Sequence, residues 1–369
     1  MDQFFPFNLP APTAWYAVLY VVTLLMHAVF MSYVLAGSIM LGVAGLRGML
    51  GRPASPSAWS AVTTVLKDWM PFALSAAITA GIAPLLFVQI LYQQEFYTAN
   101  LLSFHRWMAI LPVLIVAFYL LYLLKAHRIE GKTAVQGVVA MVVMVCILFV
   151  GWSWVENHLL SLDKAAWAKQ YETKAMVYVN AAIAPRLAFW IASALPTACL
   201  LLAWQLRARA SGIGAASAQR AQRPLAIVAS LGLIVAAALA WPVVSGVLPP
   251  GGAGTQQSSM WAGMVIAGIG VLLQLGVWLV GAVGRPLRTV PLWIASAGMA
   301  LAWLGVLVAR EAARLSIIAS EAVFARHERV GTLAGLVIFL AFAIIGVGSI
   351  AWIVRAVAKA QRQANRTIE

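Results

Sequence analysis

Histidine is scarce in this chain, with five in 369 residues, so each position carries information. His27 lies in Leu24-Leu25-Met26-His27-Ala28-Val29-Phe30-Met31, with nothing polar within a turn except Thr23. A neutral imidazole in such surroundings is either a packing residue hydrogen-bonded to a neighbouring helix or a ligand to haem iron. His105 opens an apolar run beside Arg106 and Trp107. His158 and His327 border charged stretches and read as solvated or ion-paired, and His127 sits in a basic loop. Arg310, Glu311 and Arg314 form a compact group in which 311 and 314 share a helix face. Two readings stand for it. One is interfacial snorkelling with an intrahelical ion pair. In the other, Glu311 faces a cofactor or proton route and Arg314 holds a carboxylate. Arg186 also falls inside an apolar run, where ionisable groups are costly and mark a pathway or cofactor by default. Gly37, Gly81, Gly268 and Gly270 read as close-packing positions between helices. Cys146 and Cys199, both in apolar runs, supply neither a haem-attachment motif nor a four-cysteine metal site.

The elements that must position these residues follow from composition. Hydrophobic residues make up 63% of the chain and charged residues 10%, and the mean hydropathy is +0.90. A soluble globular surface needs roughly 25% charge. The chain therefore reads as an all-α integral membrane protein. A span needs roughly 20 apolar residues. Nine candidates occur, at about 14–46, 70–93, 105–124, 134–155, 176–205, 224–247, 260–283, 289–310 and 329–355. Continuous apolar character excludes the alternation of a membrane β-barrel. Residues 164–169 read as an amphipathic surface helix. The first run lacks a basic n-region and cleavage site and is expected to be retained. The whole of 1–369 reads as a single polytopic domain.

With the N-terminus outside, the inner loops and tail hold sixteen basic and three acidic residues, a balance of +13. The outer side holds nine basic and eight acidic residues, +1, completing the net charge of +14. This is positive-inside bias, which answers anionic lipid, and nucleic acid is not needed to explain it. The same topology puts His27, His105, His158, His327, Arg186, Glu311 and Arg314 in the outer half.

Four segments together resemble subunit I of the cytochrome bd-type quinol oxidases. His27 stands where that family has its first-span haem ligand. Gly81-Ile82-Ala83-Pro84-Leu85-Leu86-Phe87-Val88-Gln89 is similar to the family's Gly-Ile-x-x-Glu-Phe-Gln-Phe-Gly. Trp261 through Leu272, with Met264, Ile266, Gly268 and Gly270, is similar to Trp-Ser-Phe-Arg-x-Met-x-Gly-x-Gly-x-Leu. Glu311-Ala312-Ala313-Arg314 is like Glu-x-Gly-Arg. The chain departs from the family at several positions. The fifth span has Phe189-Trp190 and no histidine, and Ile266 stands at the family's methionine, with Met264 close by. The second-span glutamate is replaced by an apolar residue, and His105 matches the third-span glutamate. The family's long quinol loop is reduced to residues 247–259.

The resemblance implies a divergent bd-like protein: a haem-binding subunit of a respiratory electron-transfer complex in a bacterial inner membrane. The implied cofactor is haem of b-type, or of b- and d-type. His27 would ligate one iron, and Glu311 and His105 would ligate the same or a neighbouring iron, or carry protons. Arg186 and Arg314 would neutralise propionates, and Met264 is a reserve ligand. Expected partners are membrane lipid and other membrane subunits, with electrons from a c-type cytochrome or a quinone and oxygen as an acceptor. Two alternatives stand beside it. One is a haem-free anchor or quinone-interacting subunit. The other is a solute transporter, disfavoured by the lack of paired broken helices and inverted repeats.

Overall fold

Lipid offers no hydrogen bonds to a backbone, so each apolar run must satisfy its peptide groups internally, as helix. In a computed structural model this is what the runs do. The structure describes residues 9–51, 58–208, 214–245, 255–318, 320–330, 337–346, 348, 349, 352, 355 and 356. Eight helices among the described residues are long and apolar enough to cross a membrane. They are α1 (Ala11–Met49), α2 (Ala58–Leu91), α4 (Phe104–Lys125), α5 (Thr133–Leu162), α7 (Ile183–Ala208), α8 (Ala215–Ser245), α9 (Thr255–Ala282) and α10 (Thr289–Ile318). Two short helices, α3 (Gln93–Leu102) and α6 (Lys164–Thr173), lie between spans. The chain is thus an all-helical, multi-pass membrane bundle, with no strand among the described residues. The apolar side chains that stay exposed on its flanks, such as Leu111, Val265 and Leu272, are surfaces for lipid.

Chain contacts divide into two compact units, 1–319 and 320–369. The second holds the helix Glu321–Val330 and a short apolar helix, Val337–Gly346. The expected ninth span, 329–355, falls partly outside the described residues. The first unit holds the eight spans and the candidate site.

Several boundaries move from the expected ones. The second span begins at Ala58 and not near 70, and the fifth begins at Ile183 and not at 176. Arg186 consequently sits in the first turn of α7. Glu311 and Arg314 lie two turns or one turn inside α10, which runs on to Ile318. The expected surface helix at 164–169 is α6. Asp163 caps it, accepting from Ala166 N at 3.2 Å, and Lys174 closes it in the left-handed conformation at φ 49°. Helix α3 has no counterpart among the expected elements.

Helix α1 packs against α2, α5, α7 and α10, so side chains of four neighbours can meet its length. α9 and α10 cross very closely. A Cβ placed on Gly263 would stand 2.7 Å from Ala309 N and 2.7 Å from Gly305 O. Gly270 and Gly305 meet the backbones of Ala302 and Ala267 in the same way. Without a hydrophobic drive between helices in lipid, this backbone proximity supplies the packing contact. Gly37 packs on Met70, as its close-packing role requires, whereas Gly268 faces open space.

The two ends of the bundle differ. At the end away from α3 and α6, basic side chains reach neutral acceptors. Lys67 Nζ donates to Gln136 Oε1 at 2.6 Å and Arg207 Nη2 to Thr289 Oγ1 at 2.7 Å. At the α3/α6 end, buried carboxylates and cations are paired.

Candidate functional site

His27 lies midway along α1, against α2. Its Nδ1 is 2.9 Å from the carbonyl oxygen of Ala77. A carbonyl only accepts, so Nδ1 carries the proton and donates, and Nε2 keeps its lone pair. Gly81, one turn further along α2, makes room for the ring. A Cβ there would stand 3.0 Å from both Cε1 and Nδ1. A histidine with one nitrogen tied to a backbone carbonyl and the other free as a base is the arrangement metal-ligating imidazoles adopt.

A buried polar cluster forms nearer the α3/α6 end. Glu311 is fully buried, Arg314 is 3% exposed and Arg186 6%. The Tyr92 hydroxyl donates to Glu311 Oε1. Tyr92 sits in the break between α2 and α3, and the Arg314 guanidinium lies over its ring, 3.7 Å from the centroid. Arg310 Nη1 donates to Tyr20 Oη at 3.1 Å and lies 3.8 Å from Glu311 Oε2. His158 is within electrostatic reach of Arg186, Arg310 and Arg314. Tyr20 is seven residues before His27, so the two occupy one face of α1 about 10 Å apart at 1.5 Å per residue. Glu311 Oε2, Arg186 Nε and Arg314 Nε are buried without a hydrogen bond among the described residues.

A second set of polar groups ties α3, α4, α5 and α6 together. Arg106 Nη1 meets Glu156 Oε2 at 2.8 Å, and Glu156 also accepts from Trp152 Nε1 at 3.1 Å and Tyr178 N at 2.9 Å. Lys164 Nζ meets Glu95 Oε1 at 2.9 Å, and Asn157 Nδ2 donates to Asn100 Oδ1 at 2.7 Å. Replacing Glu156 by Ala strands the Arg106 charge and two N–H groups. The expected cost is about 3 kcal/mol, the lower end for breaking a buried pair. Arg106 retains 19% exposure and can turn toward water, which keeps the cost low. Equilibrium unfolding in mild detergent checks this, and a loss under about 1 kcal/mol would show that the pair is dispensable.

Tyr178 lies in the loop between α6 and α7, outside the spans. Its hydroxyl donates to Asp163 Oδ2 at 2.7 Å and accepts from Asn180 Nδ2 at 2.7 Å. Burial, and then the bond to Asp163, push the phenol from about 10 up to about 12. The folded state therefore favours the neutral phenol. The stability it contributes is whole below pH about 10 and is lost as pH rises through about 12. The melting temperature gap between wild type and Tyr178→Phe should narrow across that window. A gap that stays constant there would count against the loop anchor.

The other expected site residues do not converge on His27. His105 is exposed at the start of α4 and lines a surface pocket of about 430 Å³ with Phe104, Gln170, Tyr171 and Lys174. Met264 is on α9, one residue from the Gly263 contact with α10. No group of three or more His, Cys, Asp or Glu side chains that could hold a metal ion occurs among the described residues. Trp190 of α7 stacks on Trp303 of α10 at 5.7 Å and 9°. The contacts of Tyr20 and Tyr92 were not legible beforehand. A tyrosine near the end of an apolar run reads as an interfacial aromatic, and only its partner, 290 or 219 residues away, makes it part of a site. No family model matches the chain, and no curated relative does.

Proposed function

We propose that the chain is a haem-bearing subunit of a respiratory electron-transfer complex in a bacterial inner membrane. The observation that carries the reading is His27, with Nδ1 donating to Ala77 O and the Nε2 lone pair unspent. Those residues fit a haem bound through one histidine, and His27, Ala77 and Gly81 are the positions that would hold it. When bound, haem supplies a one-electron centre and a site for oxygen. The chain's own part is to hold the imidazole in one tautomer, to keep the surroundings apolar and to manage protons. The Tyr92 hydroxyl donates to the Glu311 carboxylate inside the α3/α6 end, and Glu311 is the candidate proton carrier there. His105, exposed at that end, is the second candidate proton carrier of this reading. That end is the outer one in this reading, because the opposite loops carry the positive excess. Electrons would come from a c-type cytochrome docked on it, or from a quinone, with other membrane subunits completing the complex.

An optical spectrum of the protein purified from its native membrane, with pyridine haemochrome analysis, tests the reading. A Soret band with reduced α-bands is expected. A colourless, folded preparation would overturn it in favour of a haem-free anchor or quinone-interacting subunit. The exposed position of His105 at the α3/α6 end, with His27 midway along α1, favours that second reading. Cysteine labelling tests the orientation. A cysteine at Lys174 should react in intact cells, and one at Gly284 only after the membrane is opened.

A further inference from the structure

The imbalance of charge in the cluster around Glu311 has a direct physical consequence. Arg310 lies within electrostatic reach of both Arg186 and Arg314, and all three reach His158. Glu311 is the one carboxylate in direct contact with them among the described residues of this unit. The neighbouring carboxylates are already engaged: Glu95 by Lys164, Glu156 by Arg106, and Asp163 by Tyr178. The other titratable groups facing the cluster are Tyr20, Tyr92, Tyr178 and His158, none of which supplies a negative charge near neutral pH. Among the described residues of this unit, two of the positive charges thus have no carboxylate of their own in direct contact, and Glu95 reaches Arg314 only at longer range. A buried charge is stable only when paired and hydrogen-bonded.

The unsatisfied atoms say what kind of partner is missing. Arg186 Nε and Arg314 Nε are both buried donors without an acceptor, on side chains 6% and 3% exposed. The Nε–H and an Nη–H of one guanidinium form a parallel fork that matches two oxygens of a carboxylate or phosphate. Two such forks, with Arg310 beside them and the Arg314 plane fixed on the Tyr92 ring, select an oxyanion over chloride or a neutral solute.

We propose that the α3/α6 end of the bundle contains a binding site for a doubly charged oxyanion, held by Arg186, Arg310 and Arg314. The ligand is a free dianion of the aqueous phase, of phosphate or short dicarboxylate chemistry. The 174–182 loop contributes Tyr178 to the surroundings of Arg186. The inference does not depend on haem at His27, since it needs only the charge imbalance and the unsatisfied forks. Glu311 is the residue through which the anion acts, because it shares Arg310 and Arg314 with the ligand. An occupied site weakens the hold of both arginines on the carboxylate.

Thermal melting of the full chain in lipid nanodiscs tests the proposal, with inorganic phosphate or succinate titrated against chloride at constant ionic strength. Either dianion should raise the melting temperature saturably, and chloride should not. Arg186→Gln and Arg314→Gln should each weaken the half-saturating concentration at least tenfold. Arg186→Lys, which keeps the charge and loses the fork, should weaken it less and serves if a glutamine variant does not fold. Equal responses to phosphate, succinate and chloride would overturn the proposal. So would dianion binding that appears only after bound haem is extracted, because the acid groups of the porphyrin would then be the missing counter-charge. A colourless protein that still binds the dianion would keep this inference and remove only the haem reading.

Discussion

On the proposed haem reading, His27→Ala is expected to insert and fold while its haem content falls at least tenfold. The ring fills a half-buried seam between α1 and α2 and makes one hydrogen bond, so its loss costs the fold little. On the proposed haem reading its Nε2 would be the iron ligand, so its loss would remove that ligand outright. Tenfold is a floor, since disturbing the groups that merely orient a ligand already costs about 10–100-fold in metal affinity. Gly81→Ala separates ligation from packing. Its new Cβ would stand 3.0 Å from the ring, so the imidazole must shift by a few tenths of an ångström. That variant should displace the haem band without abolishing it. An unaltered spectrum in His27→Ala would reduce His27 to a packing residue.

Gly305→Leu should be among the most destabilising substitutions in the first unit. A Cβ at 305 runs into the backbone of Ala267, which cannot swing aside as a side chain can. The two helices must separate along the crossing from Gly263 to Gly270. Overpacking commonly costs about 1–3 kcal/mol and occasionally more, and a backbone-to-backbone collision belongs at or above about 3 kcal/mol. Gly268→Leu is the internal control, because nothing lies within 4 Å of the Cβ it would add. Unfolding in mixed micelles should show a large loss for 305 and nearly none for 268. Equal losses would mean that the crossing does not set the cost, since Leu is the better helix former and propensity alone would favour both variants.

The crossing also marks what could be read in advance. Gly270 was legible as a packing glycine, but Gly268, two residues away, was not separable from it. Which glycine meets a backbone depends on the rotation of α9 against α10, and a lone apolar helix has no polar face that would fix that rotation. Helix α3 escaped notice for a different reason. Its Gln93-Gln94-Glu95 start reads as a loop, and it is a helix whose Glu95 is buried against Lys164 of α6, 69 positions away.

Membrane crossing, helical structure throughout and the unequal charge of the two ends follow from the sequence by itself. Each is a response of local composition to the surrounding medium: apolar runs partition into hydrocarbon, their backbones close as helices, and basic loops stay where anionic lipid is. The site does not follow from composition. Tyr92 reaches Glu311 across 219 residues and Tyr20 reaches Arg310 across 290, while Arg186 joins them from a third helix. His27, Arg186, Glu311 and Arg314 stood out in the sequence as charges or imidazoles misplaced in apolar runs. Whether such a group is paired, stacked or left with an unsatisfied donor was decided only by the packing of α1, α2, α7 and α10, because pairing depends on distance in space and the apolar runs between these residues carry no information about it.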